Sequence, residues 1–106
     1  MSRIRVSAAF AVVALVLVGT VGAAGPQLNG SVGPGFTISL EDGSGAQVTR
    51  LDAGAFTLTV EDKSEAHNFR LRGPGVNVAT SIEAIGTETF DLTLVNGTYT
   101  FVCDPH

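Results

Sequence analysis

The stretch that decides the fold is FDLTLVNGTYTFVC, residues 90–103. Phe90, Leu92 and Leu94 alternate with Asp91, Thr93 and Val95. Tyr99, Phe101 and Cys103 alternate with Thr98, Thr100 and Val102. A period of two is the mark of a half-buried strand, because successive side chains leave a strand on opposite faces. Between the runs lies Asn96-Gly97, the dipeptide of a two-residue hairpin turn. A two-residue loop would set Leu94 opposite Tyr99, Leu92 opposite Phe101 and Phe90 opposite Cys103. The apolar residues then share one face, and a slip of one position would turn a whole set toward water.

The same rhythm runs upstream. Phe36, Ile38 and Leu40 form one apolar set, Phe56, Leu58 and Val60 a second, and His67, Phe69 and Leu71 a third. Val48 and Leu51 mark a weaker strand. Turns fall at Asp42-Gly43-Ser44-Gly45, Asp52-Ala53-Gly54 and Gly73-Pro74-Gly75. Only residues 76–87 break the pattern, and they read equally as a short helix or an irregular loop. Short strands separated by frequent turns predict an all-β antiparallel sandwich or barrel.

The 106 residues have room for one domain. Arg3 and Arg5 precede a run from Val6 to Ala24 without a charged side chain, ending in small residues. Residues 1–24 read as a signal peptide, or as an N-terminal membrane anchor if they are not cleaved. Either way the rest is exported, to the periplasm, the cell surface or the medium. Residues 25–34, GPQLNGSVGP, read as a linker, and residues 35–106 as the domain. Beyond the leader four basic residues face ten acidic ones. Such a balance disfavours nucleic acid and suits a protein partner with a basic docking face. The expected form is a monomer that meets a membrane only through its N-terminal segment.

Cys103 is the only cysteine, so no internal disulfide can form. Alternation places it on the inner face at the far end of its strand, and places His67 on the inner face at the start of another. His106 follows Cys103 by three positions, beyond Asp104-Pro105. One thiolate and two imidazoles make a trigonal copper ligand set. Zinc accepts the same donors, but the affinity order puts copper above it. A catalytic cysteine with a histidine base is a further reading, and neither oxyanion donors nor a third orienting residue accompany it. Taken singly, Cys103 reads as a small buried hydrophobe and His67 as a core histidine.

His67-Asn68-Phe69 followed by Tyr99-x-Phe101-x-Cys103-x-x-His106 resembles the cupredoxins, and most closely the small bacterial plastocyanin-like proteins. The resemblance spans residues 33 to 106 and includes GPGFTISL and AHNFRLRGPGV. It implies a cupredoxin-like Greek-key β-sandwich that holds one copper ion, cycling between Cu(I) and Cu(II). Its role would be to carry single electrons between partner proteins rather than to act as an enzyme. His67, Cys103 and His106 fall on the family's equatorial ligand positions. Asn68 falls where a side chain ties the first ligand's strand to the ligand loop. Pro105, without an N–H, leaves the sulfur with fewer hydrogen-bond donors and so is expected to raise the reduction potential. The family pattern continues with a methionine and a last strand. Here nothing follows His106 and the only methionine is Met1, so the chain is expected to be truncated before the axial ligand. The other readings are a copper carrier or storage module without electron transfer, and a metal-free β-sandwich fragment.

Overall fold

The computed structural model of the chain describes residues 2–7 and 25–105. Nine strands and no helix are found among them: β1 (Ser2–Ser7), β2 (Gln27–Val32), β3 (Ile38–Asp42), β4 (Arg50–Asp52), β5 (Gly54–Asp62), β6 (Arg70–Gly73), β7 (Val76–Ala79), β8 (Gly86–Leu94) and β9 (Gly97–Val102). They form a five-stranded sheet in the order β4-β1-β9-β6-β7 and a four-stranded sheet in the order β3-β2-β5-β8. Both sheets are mixed: β1 runs parallel to β4, and β2 parallel to β5, while the other pairs are antiparallel.

The period-two sets do what alternation requires. Leu40, Leu58, Val60, Phe69, Leu71, Leu92, Leu94, Tyr99 and Phe101 are all buried and contribute to one core between the sheets. Each such side chain, taken fully out of water, contributes roughly 1.5–3 kcal/mol of transfer free energy. This is a β-sandwich in architecture, built from the residues that the sequence marks as inward.

Three local expectations are corrected. The Asn96-Gly97 turn does not join paired strands. β8 pairs with β5, with Leu92 opposite Phe56 and Phe90 opposite Leu58, while β9 lies in the other sheet between β1 and β6. The turn carries the chain from one sheet to the other, so Leu92, Leu94, Tyr99 and Phe101 share the core without sharing a ladder. The inward faces are unchanged, because they depend on alternation and not on which edge is paired. Second, the segment 25–34 is not merely a linker, since it contains β2 at the centre of its sheet, with Leu28 and Val32 buried. Gly30, between them, faces Phe69, and a Cβ there would stand 3.0 Å from its ring. The glycine that made the segment look like a linker is what lets the ring pack. Third, Phe36 does not share the face of Ile38 and Leu40. It lies ahead of β3 and is 78 % exposed.

Residues 76–87 resolve into β7, an irregular link, and the start of β8. Arg50–Asp52 form the weak strand expected near Leu51. At the beginning of the segment read as leader, Ser2–Ser7 pair with both β9 and β4 and bury Ile4 and Val6. Residues 8–24 of that segment lie outside the described residues.

Candidate metal centre

The register of β6 against β9 assembles the site. Leu71 faces Phe101 and Arg70 faces Val102. Continued one and two steps beyond the strand ends, this antiparallel register sets Phe69 beside Cys103 and Asn68 beside Asp104. His67 is two residues before Phe69, so it points inward with it. The sequence placed both donors on inner faces at strand ends; the pairing of β6 with β9 makes those ends the same pole.

At that pole the Sγ of Cys103 lies 3.4 Å from Nδ1 of His67. His67 is buried and Cys103 half-buried. His106, the third expected ligand, lies outside the described residues. Among the described residues, no group of three His, Cys, Asp or Glu side chains is gathered closely enough to hold a metal ion. The two donors do fit one ion. Metal–nitrogen and metal–sulfur bonds of the relevant kind run about 2.0–2.3 Å, and two atoms 3.4 Å apart lie within reach of a single centre.

Asn68 holds the two segments in place. Its Oδ1 accepts the backbone N–H of Asp104 at 2.7 Å. Its Nδ2 donates to Asp104 Oδ2 at 2.8 Å and to the Thr80 carbonyl at 3.2 Å. Asn68 is 2 % exposed. An amide buried this deeply is stabilising only when its polar atoms are paired, and here both are. Pro105 is exposed in the turn that follows, and bears no N–H.

Two supports escape the motif. Arg70 Nε donates to both carboxylate oxygens of Asp104, at 2.8 and 3.0 Å, and its guanidinium also donates to Asn77 Oδ1. The hydrogen bond from Arg70 holds the Asp104 carboxyl below the usual carboxylate range, against an opposing effect of burial and with help from Asn68 and from the nearby positive charges of Arg70 and Arg72. The buried Asp62 accepts from Thr80 Oγ1 at 3.2 Å and from the Ser64 N–H at 3.0 Å. Thr80 Oγ1 in turn accepts the Phe69 N–H at 2.9 Å. Opposite charges near the candidate ligands, Arg70 three positions after His67 and Asp104 directly after Cys103, would have flagged this pair. Nothing in the sequence links Asp62 to Thr80, because the loop that unites them has no periodic signature.

Phe36 completes the pole. Its ring meets the His67 ring edge-on, with centroids 5.4 Å apart and planes at 70°. A cleft of about 320 Å³ opens here, lined by Val32, Phe36, Ile38, His67 and Cys103 among others. The signal for Phe36 was its place directly after Gly33-Pro34-Gly35, where a strand cannot yet have begun.

Comparison with protein-family models, with curated proteins and with solved structures finds no match.

Proposed function

We propose that this chain is a cupredoxin-like, exported protein whose pole binds one copper ion and passes single electrons between protein partners. The observation that carries the reading is the 3.4 Å approach of Cys103 Sγ to His67 Nδ1. These donors lie 36 residues apart in the chain and meet through the pairing of β6 with β9. His106, three residues beyond the sulfur in sequence, supplies the third donor of the proposed set. A thiolate with imidazoles serves both oxidation states of copper, and that is the chemistry the ion supplies.

The surrounding residues support such a role. Asn68 and Arg70 fix Asp104, and so fix the loop that bears the sulfur. Asp62 and Thr80 fix the segment that bears His67. Held ligands change position little between oxidation states, which lowers the cost of electron transfer. The cleft sets Val32, Phe36, Ile38 and Val102 on its apolar side, with Thr37, Arg72 and Asp104 making up its polar side.

Titration of the full chain with Cu(II) tests this. An intense visible thiolate-to-copper band, saturating at one ion per chain and lost in Cys103→Ser and His67→Ala, is the expected result. Colourless binding would favour a copper carrier, and a lack of binding would favour a metal-free sandwich.

A further inference from the structure

The formal charge of the chain is −4, but the fold does not spread it evenly. Ile4 and Val6 of β1, Leu71 of β6, and Tyr99 and Phe101 of β9 point into the core. By alternation Arg3, Arg5, Arg70, Arg72, Thr98 and Thr100 point outward from the five-stranded sheet. Arg50 is opposite Arg5 in the register of β4 with β1 and joins them. Five of the six basic residues of the protein thus share one sheet face. The acids of the same face are Asp52, at the end of β4, and Asp104, which is engaged by Arg70. The outer face of the four-stranded sheet carries Glu41, Glu61 and Asp91, with Lys63 beside Glu61 at 3.8 Å.

The register makes the basic set a plane. Arg3 and Arg72 both stand opposite Thr100, one on each side of β9. From β4 to β6 is three strand spacings, or about 14 Å. Arg3, Arg5, Arg50 and Arg72 are exposed across it. A flat field of guanidinium groups interleaved with threonine hydroxyls matches a surface paved with phosphates.

We propose that this face docks on an anionic phospholipid surface. Charge complementarity is the first argument. The second is where the face lies in the chain. β1, which supplies Arg3 and Arg5, runs directly into residues 8–24, which contain no charged side chain and are rich in Ala, Val and Leu. Arginines next to apolar sequence are the composition that anionic membranes attract, each contributing roughly a fivefold gain in partitioning. The proposal concerns the uncleaved chain, in which residues 2–7 are folded as β1; it rests on neither the export nor the copper reading, although Arg70 and Arg72 border the candidate metal pole.

The test is co-sedimentation of the full chain with vesicles of phosphatidylcholine alone and of phosphatidylcholine mixed with phosphatidylglycerol, at low and high salt. The readout is the ratio of the two partition coefficients, which removes any contribution of apolar sequence common to both. The ratio is expected to be well above one at low salt and to fall as salt is added. Arg50→Gln/Arg72→Gln, which leaves residues 1–24 untouched, is expected to lower it by more than tenfold. Lys63→Gln, which removes a positive charge from elsewhere, is expected to leave it nearly unchanged. Circular dichroism of each variant confirms that the sheets are retained; should the double variant fail to fold, Arg50→Gln alone serves, with about a fivefold drop expected. A ratio near one, or an equal drop in Lys63→Gln, overturns the proposal. So does salt-sensitive retention on heparin without preference for anionic vesicles, which would assign the face to a soluble polyanion.

Discussion

Asn68 and Asp104 exchange hydrogen bonds across the gap between the two segments that bear the candidate ligands: the Asp104 N–H donates to Asn68 Oδ1 at 2.7 Å, and Asn68 Nδ2 donates to Asp104 Oδ2 at 2.8 Å. The amide therefore extends the β6–β9 ladder past the end of both strands by side-chain means. This pair, together with the pairing of β6 and β9, ties the segment that bears Cys103 to the one that bears His67.

Asn68→Ala removes both bonds and leaves the Asp104 N–H and the Thr80 carbonyl to find other partners. A loss of about 1–3 kcal/mol in unfolding free energy is expected, measured by chemical denaturation of the full chain. Copper affinity is expected to fall with it. A variant as stable as the parent would show that the pair does not tie the loop.

The Asp104 carboxyl, held low chiefly by Arg70, gives a pH dependence of definite sign. Its folded pKa is below its unfolded one, so its stabilisation is present above the ordinary carboxylate range and is lost as pH falls through the folded value. The pair is partly exposed to water, so the effect is modest. Denaturation midpoints followed from neutral to acid pH are expected to fall less steeply in Asp104→Asn than in the parent. Parallel curves would contradict the assignment.

Gly73 lies against the Tyr99 ring so closely that a Cβ on it would overlap the ring. The ring has no room to retreat, because its hydroxyl donates to the Pro74 carbonyl at 2.7 Å and accepts the Val95 N–H at 3.0 Å. Gly73→Ala is expected to cost about 1–3 kcal/mol from overpacking. The companion Gly75→Ala, where nothing lies within 4 Å of the added carbon, tests the same turn without the collision. Its φ of +72° costs about 1 kcal/mol through the backbone alone. Equal losses in thermal or chemical unfolding would rule out the Tyr99 contact as the cause.

Pro105 is placed two residues beyond the sulfur, in a turn, and has no N–H to offer. Pro105→Ala restores a donor. If that donor reaches the thiolate, it stabilises the more electron-rich reduced site, so the reduction potential rises, opposite to the direction expected from the sequence, by on the order of 40 mV for a single hydrogen bond of about 1 kcal/mol. Redox titration of the copper-loaded chain measures this, and an unchanged potential would show that Pro105 does not tune the sulfur.

Much of the pole was legible in the sequence because it depends on local alternation. His67, Phe69 and Leu71, like Tyr99, Phe101 and Cys103, fall on inner faces from spacing alone, and all are buried but Cys103, which is half-buried. Phe36 was misassigned because alternation was extended through Gly35 into a segment where no strand exists. β2 was missed because Gly30 is a packing site for Phe69 that, by composition, looks like a break. The Asn96-Gly97 signal is real as a turn and silent as to pairing, since the ladder partners of β8 and β9 come from distant β5, β1 and β6.

The sequence by itself determined most of the inward side chains of the strands it marked, the all-β character of the described residues, and the negative formal charge, because each of these follows from residue identity and a two-residue period. Tertiary structure alone decided which strands are neighbours. That choice brings Cys103 to His67, sends the chain across the sandwich at Asn96-Gly97, and gathers five arginines on one face of a protein that is acidic in sum. The physical reason is that a strand's two faces are fixed by its own backbone, whereas its two edges can pair with any strand whose burial, register and loop length make the pairing favourable.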